Sequence, residues 1–333
     1  MPELRQNVAT REWVIIATER AQRPDQFVDA RRALAESRPR FVADCPFCPG
    51  NEALVGKPSL EISEAGRWQV RVVANKFPAL VESGEPVRHF KGVERSMDGF
   101  GVHEVLIESP LHNATTALQS EQEVGRTLRA FCERGRKLSH DERLLLTIFF
   151  KNHGAGAGTS LEHPHSQMVS LPVVPHHVRQ RLQDAAAYYD EHGSCVFCDM
   201  WHQELAKGAR VIVEGKHSLA FVPYAAFSPF HTWVVPKRHM AVFGHARDEE
   251  LDDVAAVLRG VLRRMYFGLH DPDFNFVVRT APNQEDRSRS FHWYISIVPR
   301  VTRTAGFEVG SGMFINTALP EDSAKFLREV KTP

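Results

Sequence analysis

Two Cys-x-x-C pairs mark this chain, Cys45 with Cys48 in CPFC and Cys195 with Cys198 in CVFC. In a reduced protein, two thiols at that spacing are suited to hold one zinc ion between them. A disulfide framework does not fit, because five cysteines are an odd count and a chain of 333 residues can fold on its own burial. The remaining thiol, Cys132 in RAFCERG, reads as a small apolar core residue on a helix. Of the 17 histidines, His112, His163, His239 and His292 occupy matching places in the two halves. They complete two four-ligand sets, Cys45, Cys48, His112 and His163 in one half and Cys195, Cys198, His239 and His292 in the other. Two thiolates and two imidazoles form the closed tetrahedral shell of structural zinc, which predicts one or two Zn2+ per chain. The histidines of each set are too far apart for a zinc finger.

The segment KNHGAGAGTSLEHPHSQ (151 to 167) carries the reactive chemistry. Gly154, Gly156 and Gly158 let the backbone approach a ligand and offer N–H groups to a phosphate. His165, two residues past His163, shares its face of an extended strand and is oriented by its neighbour's metal. A neutral imidazole there can attack phosphorus and form a phosphoramidate. Gln167 falls on the same face, a neutral amide able to bind phosphate oxygens. The second half has Tyr294 and Ser296 at the matching positions, so one catalytic centre per chain is expected.

An internal repeat supplies the elements that position these residues. After the first Cys-x-x-C come VRVVANKFPAL (70 to 80), HEVLIESPLH (103 to 112), a helix, LLLTIFF (144 to 150) and HPH. After the second come VIVEGKHSLAFVPYAAF (211 to 227), HTWVVPKRH (231 to 239), a helix, FNFVVRT (274 to 280) and HWY. The spacings from His112 to His163 and from His239 to His292 nearly coincide. Extra length before His112 marks an insertion around SMDGFG, which a loop absorbs at little cost. Ser120 with Glu123 spells a capping box. Val124, Leu128, Phe131 and Cys132 follow at helical spacing, and Leu251, Val254, Val257, Leu258, Val261, Leu262, Met265, Tyr266 and Leu269 form a second core-facing stripe. Strand, strand, helix, strand predicts an α+β unit, a mostly antiparallel sheet with helices packed on it. The duplication divides the chain into residues 1–180, with the nucleophile, and 190–333, without it.

Charge is balanced, 41 Lys and Arg against 41 Asp and Glu, with an isoelectric point near 7.3. That gives no basic footprint for nucleic acid. No apolar run reaches the roughly 18 residues of a membrane span, and the N-terminus lacks a basic stretch followed by an apolar core. A soluble, cytoplasmic protein is expected.

RAQRP (20 to 24), CPFC, ANKFPAL (74 to 80), ESPLH (108 to 112), HPHSQ and GFEVGSGMFIN (306 to 316) together resemble the galactose-1-phosphate uridylyltransferase family of the histidine-triad superfamily, which includes the ADP-glucose phosphorylases. The resemblance implies duplicated histidine-triad-like units and a ping-pong transfer. His165 would take a nucleotide from a nucleoside diphosphate sugar, releasing hexose-1-phosphate, and pass it to a second phosphate-bearing acceptor. It further implies that Asn75 and Phe77 line the nucleotide pocket and that Arg20 and Arg23 lie near phosphates, a task suited to the guanidinium fork. Asn152, Ser160 and Gln167 would hold the transferred phosphate, with Gly156 and Gly158 in the binding loop, and a homodimer partner would complete the site. Hydrolases of the superfamily usually carry histidine where Gln167 stands, which disfavours hydrolysis. The leading expectation is transfer between UDP-glucose and galactose-1-phosphate. Ser166 in place of glycine, Tyr294 at a late histidine position, a GSGMFIN segment without an acidic residue, and the second complete ligand set resemble the ADP-glucose phosphorylase branch, which transfers adenylyl to phosphate.

Overall fold

The computed structural model describes residues 1–18, 24–28 and 34–333. In chain order the strands are β1 (Glu3–Gln6), β2 (Trp13–Ile16), β3 (Leu60–Glu64), β4 (Arg67–Ala74), β5 (Arg88–Lys91), β6 (Glu94–Met97), β7 (Val102–Ile107), β8 (Leu146–His153), β9 (His165–Leu171), β10 (Val211–Glu214), β11 (Ser218–Phe221), β12 (Thr232–Pro236), β13 (Phe274–Arg279), β14 (Tyr294–Pro299) and β15 (Phe314–Asn316). The helices are α1 (Glu121–Leu138), α2 (His176–His192), α3 (Val196–Lys207), α4 (Asp248–Leu269), α5 (Gly306–Ser311) and α6 (Pro320–Glu329). Ten strands form one sheet in the order β10-β11-β12-β14-β13-β8-β9-β7-β4-β3, and every neighbouring pair in it is antiparallel. This is the expected α+β class.

Each half contributes five strands in the same order, read outward from the β8·β13 seam. Met168 and Ile297 stand equally far past His163 and His292, and they pair with Phe149 and Phe276 respectively. Phe149 and Phe276 are therefore equivalent, as are their neighbours Phe150 and Val277. Those neighbours are direct partners across the seam, so a local twofold axis runs between them.

Both helical stripes bury as expected. The capping box at α1 is complete, with Glu123 N–H donating to Ser120 Oγ at 3.3 Å and Ser120 N–H to Glu123 Oε2 at 2.7 Å. Three acidic residues open α4, where they suit the positive end of the helix. α1 and α4 pack on each other and on one face of the sheet. Strand alternation sends Val70, Val72, Leu106, Met168, Val234 and Ile295 into that layer. The other face carries Val73, Val105 and Ile107 against the CPFC loop, and Leu219, Phe221, Trp233 and Val235 against α2 and α3. Cys132 is fully buried in the helical layer.

Two elements differ from the sequence reading. The first-half insertion is a hairpin, β5 paired with β6, and the segment 211 to 227 makes two strands, β10 and β11, whose first-half counterparts are β3 and β4. A separate small sheet, β1-β2-β15, ties the two ends of the chain together, clamped by Arg5 on Glu321 at 3.0 Å. No helix among the described residues is long and apolar enough to cross a membrane.

Candidate active site and metal sites

Each predicted ligand set converges in space. The four donor atoms of Cys45, Cys48, His112 and His163 lie within 4.8 Å of one another, as do those of Cys195, Cys198, His239 and His292. In the first set Cys48 Sγ is 3.6 Å from Nδ1 of both His112 and His163, and Cys45 Sγ is 3.7 Å from His163 Nδ1. His163 Nε2–H donates to the Ser109 carbonyl at 2.8 Å, which leaves Nδ1 as the lone-pair nitrogen facing the sulfurs. Burial holds His163 down at about pKa 4, so the ring is neutral and able to ligate at pH 7. The second set repeats the plan: Cys198 Sγ lies 3.4 and 3.3 Å from Nδ1 of His239 and His292, and His239 Nε2–H donates to Ser288 O at 3.0 Å. Burial holds His292 at about 3. Two soft sulfurs and two imidazoles in each cluster, one of them oriented by a backbone carbonyl, fit a tetrahedral metal ion.

His165 opens β9 beside the first cluster and is 7% exposed. Its Nδ1–H donates to the His163 carbonyl at 2.9 Å, so Nε2 is the nitrogen with the free lone pair. Phe47, from within CPFC, packs edge-on against both rings at 5.9 and 5.4 Å. The CPFC loop thus fixes the His165 ring by sterics as well as through the chain. Burial, helped by the charge of Lys151, lowers the His165 pKa against the opposing pull of the His163 carbonyl and Glu108. The imidazole is therefore neutral and nucleophilic near pH 7.

His165 lines a cavity of about 740 Å³, together with Asn152, Gly154 and Ser160 as the sequence suggested. Gly156 and Gly158 do not line it. The Gly156 N–H donates instead to Asp273 of the second half, because the short turn at Ala155–Ala157 folds onto that residue. Gly158 serves the turn, with a left-handed φ of 89°. Gly154, at φ 82°, is the glycine that reaches the cavity.

Gln167, Asn75 and Phe77 form a group outside the cavity lining. His103 Nδ1 accepts the Ala79 N–H at 3.0 Å, which leaves Nε2–H to donate to Gln167 Oε1 at 2.9 Å. The Asn75 amide lies 3.0 Å from the same nitrogen, and Asn75 Oδ1 caps the turn by accepting Phe77 N–H at 2.9 Å. Phe77 is 83% exposed, an aromatic face open to a ligand. Arg20 and Arg23 lie outside the described residues.

Several residues of the site were not read from the sequence. His103 orients Gln167, and Arg38 and Arg300 bring positive charge to the cavity wall. Lys151 and Glu108 form an ion pair at 2.7 Å behind His165, with side chains 2% and 1% exposed. The only signal for His103 was its place on the Gln167 face of a neighbouring strand, and for the ion pair there was none beyond a lysine in an apolar run.

The second half keeps the metal plan and fills the rest. Tyr294 is 1% exposed and packs on Trp233 at 4.2 Å and Phe197 at 5.4 Å. Ser296 bonds His231 Nε2 at 3.0 Å, the counterpart of the Gln167 to His103 bond. The pocket between these side chains is only about 30 Å³.

Comparison with known proteins matches residues 1–175 to the N-terminal domain, and residues 181–331 to the C-terminal domain, of galactose-1-phosphate uridyl transferase. The chain is 35% identical to an ADP-glucose phosphorylase of Arabidopsis thaliana, over 99% of this chain and 93% of that protein. It is 29% identical to a galactose-1-phosphate uridylyltransferase of Thermotoga maritima, over 99% of each. Among solved structures it is similar to an ADP-glucose phosphorylase from Arabidopsis thaliana with bound ADP-glucose, with TM-score 0.83, 33% identity and 99% of both chains covered. A uridylyltransferase structure aligns with TM-score 0.76 and 26% identity, over 99% of this chain and 98% of the other.

Proposed function

The chain belongs to the galactose-1-phosphate uridylyltransferase family and is a nucleotidyltransferase, and on that premise we propose that it moves a nucleotidyl group through a covalent bond to His165. The observation that carries this reading is the His165 ring itself, neutral, fixed at Nδ1 and placed on the wall of the main cavity. In the first half-reaction Nε2 attacks the α-phosphorus of a nucleoside diphosphate sugar. The bond from that phosphorus to the bridging oxygen breaks, and hexose-1-phosphate leaves with the electron pair. In the second, a phosphate oxygen of the acceptor attacks the same phosphorus and the imidazole leaves, restoring neutral His165. Asn152, Ser160 and the Gly154 turn stand where the transferred phosphate would sit, and Gln167, oriented by His103, adds a neutral donor.

We assign zinc to both clusters, held by Cys45, Cys48, His112 and His163 and by Cys195, Cys198, His239 and His292. A bound ion of this closed type supplies stiffness, not a reacting ligand. The half-buried Ile148, Phe150, Val169 and Val277 flank the seam on the open sheet face, which suits a second copy of the chain in a homodimer. The five unpaired thiols suit a reducing compartment, and we assign the enzyme to the cytoplasm.

For substrates, ADP-glucose as donor and inorganic phosphate as acceptor have the greater support, from the higher identity and TM-score of the phosphorylase comparisons. UDP-glucose with galactose-1-phosphate is the second reading, supported by the family models that span the chain. Purified protein is incubated with each pair, and with each donor alone labelled on its α-phosphate. Turnover with ADP-glucose and phosphate, together with acid-labile label on wild-type but not His165→Ala protein, is the expected result. Turnover with neither pair refutes both readings, and release of nucleotide at a rate indifferent to any acceptor would mark a hydrolase instead.

A further inference from the structure

The segment 164 to 166, which presents the nucleophile, is held by one buried polar network. Glu108 uses its backbone N–H to bind Pro164 O at 3.1 Å. Its carboxylate accepts from Lys151 Nζ at 2.7 Å and from Ser166 Oγ. Lys151 Nζ in turn donates to the carbonyl oxygen of His165 at 3.3 Å. The three side chains come from β8, from β9 and from just past the end of β7, and they meet only because β9 lies between the other two. Burying such a pair is costly, and apolar side chains of similar volume often serve a fold as well.

The second half shows that this fold accepts the apolar solution. The equivalence of Phe149 with Phe276 makes Val278 the counterpart of Lys151. Ile295 is the counterpart of Ser166, one residue past Tyr294. Leu106 pairs with Ser166 and Val234 with Ile295, so Pro236 is the counterpart of Glu108. All three of these residues are buried. The charged network is present where the nucleophile is and replaced by apolar side chains where it is not. We infer that Lys151, anchored by Glu108 and Ser166, is a positioning residue that pins the His165 backbone and so sets the line along which Nε2 reaches phosphorus. Misplacement of an attacking atom by about 1 Å can cost on the order of 100-fold in rate, and on the ring itself the His163 carbonyl and the edge of Phe47 are the contacts that orient it.

This inference rests on the reading of His165 as a nucleotidyl carrier. The test uses the full chain as the double variant Glu108→Leu with Lys151→Met, which restores apolar packing like that of the second half. Metal content and the melting transition are measured first. The single-turnover rate of nucleotidyl-enzyme formation is then followed against donor concentration, with labelled ADP-glucose and UDP-glucose. The expected result is a full metal complement, a maximal rate reduced at least tenfold, and a half-saturating concentration within about twofold of wild type, as positioning without binding requires. A maximal rate within twofold of wild type, or a loss confined to half-saturation, overturns it. If the double variant does not melt cooperatively, Ser166→Ala decides: a several-fold drop in maximal rate supports the inference and an unchanged rate overturns it. Wild-type protein that takes no label from either donor overturns the carrier reading and this inference with it, whereas a labelled wild type with an equally fast variant overturns the positioning role alone.

Discussion

Replacing Lys151 by methionine keeps much of the buried volume and removes the ammonium that balances Glu108. The carboxylate then stays 1% exposed with only the hydroxyls of Ser166 and Thr116 donating to it, and the His165 carbonyl loses the Lys151 donor. Stranding one partner of a buried pair costs about 3–5 kcal/mol. Unfolding entropies near 2.1 cal/mol/K per residue, applied to 333 residues, convert that loss to a melting temperature lower by about 4–7 °C. Adding Glu108→Leu recovers most of it, because no charge is then stranded. The pH dependence separates this cause from a simple packing defect. In the wild type burial pushes the Glu108 carboxyl up, but the charge and hydrogen bond of Lys151, with Ser166 and His165, outweigh it, and the group sits below the usual carboxylate range. Its contribution to stability is present above the unfolded value of about 4.3 and fades as pH falls through the lowered folded value. Without Lys151, burial dominates and the folded value rises above about 4.3, so the folded variant binds a proton that the unfolded chain has released. The variant therefore gains stability as pH falls from 7.5 toward 5, and the gap to wild type narrows. Denaturant unfolding of wild type, both single variants and the double variant at the two pH values measures this. A Lys151→Met deficit below about 1 kcal/mol at pH 7.5, or one of the same size at pH 5, would refute the account.

Other consequences are direct. Metal analysis of native protein is expected to give two zinc ions per chain, and Cys45→Ser one, with loss of nucleotide labelling because His163 no longer anchors His165; an unchanged zinc content would exclude the first cluster as a site. The His165 pKa is lowered from 6.5 by burial, so the pH of half-maximal labelling should lie below 6.5; a half-maximal rate at or above pH 6.5 contradicts the neutral ring. An alanine at 156 would place its Cβ 2.5 Å from Asp273 Oδ2, so the carboxylate must swing aside and its bond from the backbone N–H of residue 156 weakens, at a cost of about 0.5–1.5 kcal/mol, read as a lowered denaturant midpoint. Tyr294→His in a His165→Ala background should take no label, since Trp233 and Phe197 fill the space a substrate would need; label on residue 294 would show a latent second centre.

What the sequence revealed and what it hid have physical causes. The ligand sets were legible because cysteine pairs and histidines recur in both halves, and a metal shell needs only residue type and convergence. The two long helices were legible because their stripes and the Ser120 box act within one turn. β3 was missed because LEISE alternates weakly against an exposed edge of the sheet. The Glu108, Lys151 and Ser166 network was hidden because strand order, not sequence distance, brings it together, and a lysine in a strand carries no sign that it is buried. The turn of the Gly156 N–H away from the cavity was not legible, because its direction depends on Asp273, a residue of the other half. Asn75 and Phe77 are tied to Gln167 through His103, a histidine whose meaning rests on which face of β7 it occupies.

The two halves share one architecture and one cysteine–histidine plan, and the first adds a cavity beside His165. On the face that bears His165, the residues His165, Gln167, His103 and Asn152 correspond by register to Tyr294, Ser296, His231 and Arg279. The hydrogen bond from the His103 position to the Gln167 position survives as His231 with Ser296, but in a setting so closed that burial holds His231 at about pKa 3. Polar geometry alone therefore does not make the site. What distinguishes the first half is open volume beside the imidazole, made by the Gly154 turn, together with a charged network behind it in place of apolar side chains. The two cysteines and two histidines converge in both halves alike, so the second set marks what the two halves share. The energetic cost of a buried ion pair is concentrated at the strand end that carries His165.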